Sequence, residues 1–378
     1  MATVSEWLGR LVQVPSVTPA QAGPRAGVAG EGRLAALVAT WFRELGAEVQ
    51  VREVLPDRPN VYGIWRGRGE RLMALDVHID TAGVEQMVGD PFSGELRAGR
   101  VYGRGTVDTK ASLAVALALL EEWQRDTVAP VGTLIVAATV DEEERAQGAP
   151  AFATWVREQG LRIDELLVAE PTNCVPVYGH KGVVRMELTC MGVAAHSSQP
   201  TLGRNAISGA ARVALALEAE HARLQTLPPA QLGHATLSPT LIGGGRGLNV
   251  IPDQCSLAFD RRVLDGEDPA LVAEGIVRLA QEVAQLPVQA RSILGLGAFW
   301  QDPTHPWLQR LAGWSGEAAQ LVSYGTNAWA YTEIARACAV MGPGSIAQAH
   351  SNDEWVEVGE LERLMAIFRQ WWAGDGLG

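Results

Sequence analysis

The chain has 378 residues, 47% of them hydrophobic and 20% charged, with a formal net charge of −12. That length exceeds what one hydrophobic core usually serves, so two domains are expected, and the composition excludes a disordered chain. The acidic balance argues against a nucleic-acid partner, since phosphate binding needs a basic face.

The opening MATVSEWLGRLVQVPS lacks the basic start and apolar stretch of a signal peptide. The longest apolar run, Ala111 to Leu120 with one serine, is too short to span a membrane. Four scattered cysteines (Cys174, Cys190, Cys255, Cys338) form no CxxC pair, which suits reduced core thiols and a cytoplasmic location. Residues 31–45 carry apolar positions at helical spacing and stop at Gly46. Strand-like runs follow at 47–52, 60–65 and 72–77, then a helix over about 110–124. Residues 131–140 are almost wholly apolar, as in a strand covered on both faces. A short helix near 149–159 and a strand at 165–169 complete an alternation that favours an α/β sheet.

After about residue 176 the pattern changes. Val184, Met186, Leu188 and Cys190 alternate with Arg185, Glu187 and Thr189, as in a half-buried strand. A helix over 204–226, strands at 235–242 and 254–262, a helix over 269–285 and a strand near 287–294 follow. That order, βαββαβ, is ferredoxin-like. The expected architecture is therefore a mostly parallel central sheet flanked by helices, residues 1–176 and 296–378, with the ferredoxin-like domain, 177–295, inserted. The larger domain closes with a strand before Gly342 and a helix at 358–373, where Trp371 and Trp372 read as packing residues.

Acids and histidines stand where the apolar strands run out. LMALDVHID ends in His78 and Asp80, LIVAATVDEE in Asp141, Glu142 and Glu143, ELLVAEPT in Glu170, and CAVMGPGSIAQAH in His350. In an open parallel sheet, ligands gather at the carboxyl ends of the strands. Residues two apart on a strand share a side, so His78 and Asp80 reach one site, Asp80 as a ligand or as acceptor of the other ring N–H. Asp108, in YGRGTVDTKAS, fits a carboxylate bridging two ions, or a first-turn helix acid. Taken alone, His78 with Asp80 suits a satisfied core histidine beside an acid better than a ligand, and the four acids at 141–144 a solvated cluster. Five ligand-type residues on four strand ends, with an acid to spare, point to a divalent-metal site.

The chain resembles the dinuclear zinc amidohydrolases that include acetylornithine deacetylase, succinyl-diaminopimelate desuccinylase and glutamate carboxypeptidase. The carriers are LDVHIDT, DPFSGELRAGRVYGRGTVDTK, ATVDEEERAQGA, AEPT, GVAAHSSQP, GGGRGLNVIPDQC, FDRR and MGPGSIAQAHSNDE, in family order over almost the whole chain. The resemblance implies two divalent metal ions, zinc or else cobalt. His78 and Glu170 would hold one, Glu143 and His350 the other, with Asp108 between them and Asp80 orienting His78. Glu142 would be the general base, Glu144 an extra acid. The inserted domain would be a lid and dimerisation domain, with His196 reaching the partner subunit's site to stabilise the oxyanion. Asn249 and Arg262 match substrate-holding positions, although a turn asparagine and a surface-strand arginine look the same. Tyr324, Thr326, Asn327 and Gly344 are further candidate substrate contacts. DTKAS replaces the usual D-M-K-G-G, and Asp76 stands where a small residue is common.

The S-I-x-Q-A run before His350 is closest to the acetylornithine deacetylase branch, which places the chain in amino-acid, specifically arginine, biosynthesis. Hydrolysis of an N-acyl amino acid is thus the leading expectation. Carboxypeptidase, dipeptidase or desuccinylase activity stands beside it, as does a non-catalytic metal- or amino-acid-binding protein. The expected partners are a small acylated substrate and a second copy of the chain.

Overall fold

The computed structural model describes residues 2–374. The chain divides into two compact units: one holds the residues up to Tyr178, Gln301–Gln320 and the chain from Thr326 onward, and the other holds Gly179–Trp300 with Leu321–Gly325.

In the first unit the strand order from one edge is Glu48–Leu55, Arg58–Trp65, Thr133–Thr139, Leu72–His78, Ile163–Val168, Ala335–Val340 and Val177–His180. The four strands from Thr133–Thr139 to Ala335–Val340 are mutually parallel, with antiparallel neighbours outside them. Leu72–His78 is buried at every position because both faces of the sheet are covered. Met73, Leu75, Val77 and Ile79 face the main core with Val4–Val12, Gly32–Glu44, Lys110–Arg125, Pro306–Ser315 and Val358–Ala373. Strand alternation then turns Asp76 and His78 to the other face. There Gly148–Glu158 packs Phe152 and Trp155 against Tyr62. At the opposite end of the sheet, buried Glu165 accepts from Trp371 Nε1 at 2.8 Å and Arg310 at 2.6 Å, and pairs with Arg71.

The second unit follows the order Gly182–Met191, Ala206–Thr226, Thr236–Gly244, Gln254–Val263, Pro269–Ala284 and Val288–Leu296. Its antiparallel sheet runs Thr236–Gly244, Gln254–Val263, Gly182–Met191, Val288–Leu296. Val184, Met186, Leu188 and Cys190 are buried against the two helices. On the opposite face Arg185 pairs with Asp260 at 2.8 Å and Glu187 with Arg291 at 2.7 Å.

The long elements lie within a few residues of their expected bounds, and Val358–Ala373 coincides with them. Several short ones were not anticipated. Val4–Val12 is a helix opened by a capping box between Thr3 and Glu6. Pro306–Ser315 is a further helix, and Glu95–Arg97, Arg100–Tyr102 and Trp355–Glu357 form a small sheet too short for periodicity to reveal. All four cysteines are buried and unpaired. No helix among the described residues is long and apolar enough to cross a membrane.

Trp372 is fully buried, stacked on Phe368 at 5.2 Å and edge-on to Trp123 at 6.0 Å. Trp372→Ala is expected to cost about 3–5 kcal/mol by removing that volume from a packed core. Urea unfolding followed by circular dichroism checks this, and a loss under 1 kcal/mol (roughly an exposed-site value) would contradict the packing assigned to the last helix.

Candidate metal centre

The four parallel strands end side by side, and each delivers its acids or histidine to the same place. His78 closes Leu72–His78, Glu170 lies two residues beyond Ile163–Val168, and the turn 141–144 follows Thr133–Thr139. His350 stands on the loop after Ala335–Val340. That loop is stitched to the segment after Glu170: Gly342 donates to Thr172 Oγ1 at 3.2 Å, and its carbonyl accepts from Cys174 N–H at 2.8 Å.

Two triads result, His78–Asp108–Glu170 and Asp108–Glu143–His350, each with ligand atoms within 4.8 Å of one another. Asp108 is common to both. Its Oδ1 lies 2.8 Å from His78 Nε2 and its Oδ2 3.2 Å from His350 Nε2, so each carboxylate oxygen serves one histidine. His350 Nε2 also lies 3.0 Å from Glu143. The loop carrying Asp108 is held by a residue that sequence reasoning did not single out. Glu354 Oε1 accepts the Val107 N–H at 2.9 Å, while its Oε2 pairs with buried Arg104 at 2.6 Å. The only signal was an acid four residues after His350.

Asp80 meets both His78 and the acidic turn. His78 Nδ1 is 3.1 Å from the Asp80 backbone oxygen and 3.5 Å from its carboxylate. The Asp80 carboxylate also accepts the N–H groups of Glu142 and Glu143 at 3.1 and 2.9 Å. Glu144 turns away, accepting from Thr18 Oγ1 at 3.3 Å.

The electrostatics state what the cluster lacks. Burial, reinforced by the neighbouring carboxylates, raises Glu170 well above the usual range and pushes Glu142 up to about 8; it raises Glu143 as well. Burial opposes ionisation of Asp108 too, yet hydrogen bonds from His350 and His78 hold it well below the usual range. Burial disfavours charge on His78, but Asp108 and Asp80 raise it well above its ordinary value; Asp108 and Glu143 raise His350 to about 10. Glu170 Oε1 is buried without a hydrogen-bond partner, an acceptor of the kind a cation satisfies. The donor set, imidazole nitrogen and carboxylate oxygen, suits zinc or a similar divalent ion.

Of the other candidates, Asn327 and Gly344 make their contacts within the fold. Asn327 is buried, and its amide donates to Asp76 at 3.0 Å and Thr139 at 3.4 Å, so it belongs to the fold interior. Gly344 donates its N–H to Glu360 and accepts from Asn173 N–H at 2.6 Å. It must be glycine: φ is +72°, and a Cβ would lie 2.2 Å from Val107 Cγ2, one residue from Asp108. Thr326 is buried and caps the short helix Asn327–Ala330, accepting from Ala328 N–H at 3.2 Å. Tyr324 is half-buried and falls in the second unit.

In the second unit His196 is exposed, on a two-residue strand paired with Val250–Ile251. Its Nδ1 accepts the Ser198 N–H at 3.2 Å, which leaves Nε2 as the donor in the neutral ring. Asn249 is exposed beside it, its carbonyl accepting from Ser197 N–H at 2.9 Å. Arg262 pairs with Asp260 at 2.9 Å and lines a cavity of about 600 Å³ with His180, Lys181 and Ser323.

Residues 74–373 match the model of Peptidase family M20/M25/M40. The chain is 30% identical to acetylornithine deacetylase of Proteus mirabilis, covering 98% of this chain and 96% of that one. It is 32% identical to acetylornithine deacetylase of Myxococcus xanthus, covering 80% and 79%. Among solved structures, an M20 family metallo-carboxypeptidase from Sulfolobus solfataricus superposes with a TM-score of 0.77 at 15% identity, covering 97% and 98%.

Divalent ions should relieve the repulsion in this cluster and so stabilise the fold. Zinc or cobalt at about 1,000 times its dissociation constant is expected to add about 4 kcal/mol to stability, read as a rise in melting temperature of the metal-stripped protein. His78→Ala and His350→Ala should each lower the number of ions bound. Undiminished binding by both variants would remove these triads as the metal centre.

Proposed function

Because this chain belongs to Peptidase family M20/M25/M40, and so is a metal-dependent hydrolase, we propose that it hydrolyses the amide bond of an N-acyl amino acid in the manner of its acetylornithine deacetylase relatives. The observation that carries the reading is the pair of triads sharing Asp108, with Glu142 beside them and outside both. A ligand set explains five residues; an additional half-buried carboxylate whose affinity for protons is raised explains a general base.

His78 and Glu170 would hold one divalent ion, Glu143 and His350 the second, and Asp108 both. Ions held there supply Lewis acidity, polarising the amide carbonyl and acidifying water. Glu142 takes the proton from the attacking water and returns it to the departing nitrogen, so that water and amide become carboxylate and amine. Asp80 keeps Glu142 aimed by accepting its N–H. His196, with Nε2 free to donate, would stabilise the oxyanion in the partner subunit's site, and Arg262 would fork the substrate carboxylate, with Asn249 and Tyr324 as further contacts. The similarity to acetylornithine deacetylases over most of the chain favours an acetylated amino acid and a place in arginine biosynthesis. Zinc is the favoured ion, with cobalt able to replace it. A cytoplasmic homodimer through the second unit completes the proposal; Thr236–Gly244 is a sheet-edge strand exposing Leu241 and Ile242, the kind of surface a second copy covers.

Amine release from N-acetylornithine, other N-acetyl amino acids, N-succinyl-diaminopimelate and short peptides tests the reading, using zinc- or cobalt-loaded protein and a chelated control. Metal-dependent release is expected, highest for an acetylated amino acid; preference for a peptide would move the chain to the peptidase branch. Glu142→Gln should lower kcat by about 10²–10⁴-fold while two ions stay bound. Near-native turnover in that variant would exclude Glu142 as the base.

His196→Ala should lower kcat by about 10²–10³-fold without changing metal content. Loss of metal from this variant would instead make His196 part of the metal centre.

A further inference from the structure

The turn that carries Glu142 and Glu143 begins at Asp141, whose φ of +68° lies in a region that L-residues rarely adopt. Behind it sits a buried arrangement outside both triads. Arg58, the first residue of Arg58–Trp65, reaches Glu31 with Nε at 2.5 Å and Nη2 at 2.8 Å. The same Nη2 lies 2.9 Å from Asp141 Oδ1 and 3.4 Å from Thr18 Oγ1. Glu31 Oε1, held by that fork, accepts the Asp141 N–H at 3.0 Å. Glu31, Arg58 and Asp141 are all buried.

We propose that Arg58 and Glu31 are positioning residues for the acidic turn, and that their ion pair sets the aim of Glu142 as base and Glu143 as ligand. The inference rests on the hydrolase reading for the role of Glu142. Two carboxylates receive the turn's backbone: Glu31 takes the N–H of Asp141, and Asp80 takes those of Glu142 and Glu143. Four consecutive acids repel one another, and Arg58 places a positive charge against the first of them from the protein side. A guanidinium does this because its planar fork engages both Glu31 oxygens while one nitrogen also meets Asp141; a lysine ammonium has one nitrogen and lacks that fork. A residue that orients a ligand or base in this way acts without touching substrate, and such outer positions are worth about 10–100-fold in metal affinity or activity.

The test compares the metal-loaded wild type with Arg58→Lys, which keeps the buried charge, and Asp141→Asn, nearly isosteric, which removes the charge facing Arg58 and leaves an oxygen able to accept the Gln147 N–H. The readouts are kcat, KM, melting temperature and a two-site cobalt titration followed by visible absorption. Each variant is expected to lose about 10–100-fold in kcat, with KM within about threefold and the melting temperature little changed. Cobalt affinity should weaken for one of the two sites only, the one that uses Glu143. Should Arg58→Lys fail to fold, Asp141→Asn carries the test. The proposal is overturned if kcat and both cobalt affinities stay within about twofold of wild type, or if stability alone falls. A wild type that binds cobalt but releases no amine defeats the hydrolase reading alone, because the cobalt affinities still report on positioning.

Discussion

Like charges crowded into a buried place govern this molecule. Asp80, Asp108, Glu142, Glu143 and Glu170 converge around two imidazoles, and two unit charges 4 Å apart interact by roughly 4 kcal/mol at the effective dielectric of a protein surface. Removing any one acid would ease the repulsion, so their joint presence makes sense only with cations to bind. The opposite displacements of Asp108 and Glu170 express the same tension: the carboxylate placed between both histidines keeps its charge, while the one without a hydrogen-bond partner on Oε1 resists it.

Holding such a cluster together without its ions falls to the scaffold. The backbone does part of it, because the turn after Thr133–Thr139 points successive N–H groups at carboxylates instead of at water. Buried cations do the rest. Arg58 stands behind Asp141, and Arg104 neutralises Glu354, whose other oxygen holds the Asp108 loop. A buried ion pair adds little net stability on its own, since desolvation offsets its attraction. Its value here is geometric: each arginine fixes a carboxylate, one oxygen of which accepts a backbone N–H of a ligand-bearing segment.

The parts legible in the sequence were those with a long pattern or a chemical constraint at a strand end. The apolar runs, the alternating Val184–Cys190 stretch and the acids after each strand were all visible because period and burial are written in residue type. Val4–Val12 had a signal that was passed over, the Thr3-x-x-Glu6 spacing of a capping box. Trp355–Glu357 had none, since three residues are too few to show a period. Asn327 illustrates a deeper limit. A polar residue in a loop next to a site reads as a ligand contact, but buried Asp76 needs donors, and Asn327 and Thr139 provide them. Asp76 itself is pushed up to about 6 by burial despite those bonds. Partners far apart in sequence cannot be inferred from either one alone.

That contrast separates two kinds of functional residue. His78, Asp108 and Glu170 are buried and stand at or just beyond rigid elements, where a ligand's position is set by the sheet and tolerates little error. His196 and Asn249 sit exposed on two-residue strands and loops. Short elements of that sort have low local stability and adapt their geometry at small cost. The metal centre proposed here would therefore rest largely on the parallel sheet, whereas the proposed contacts of His196 and Asn249 would come from segments freer to change. A family can then keep its metal centre while its substrates diverge, and a sequence will announce the reaction more clearly than the molecule it acts on.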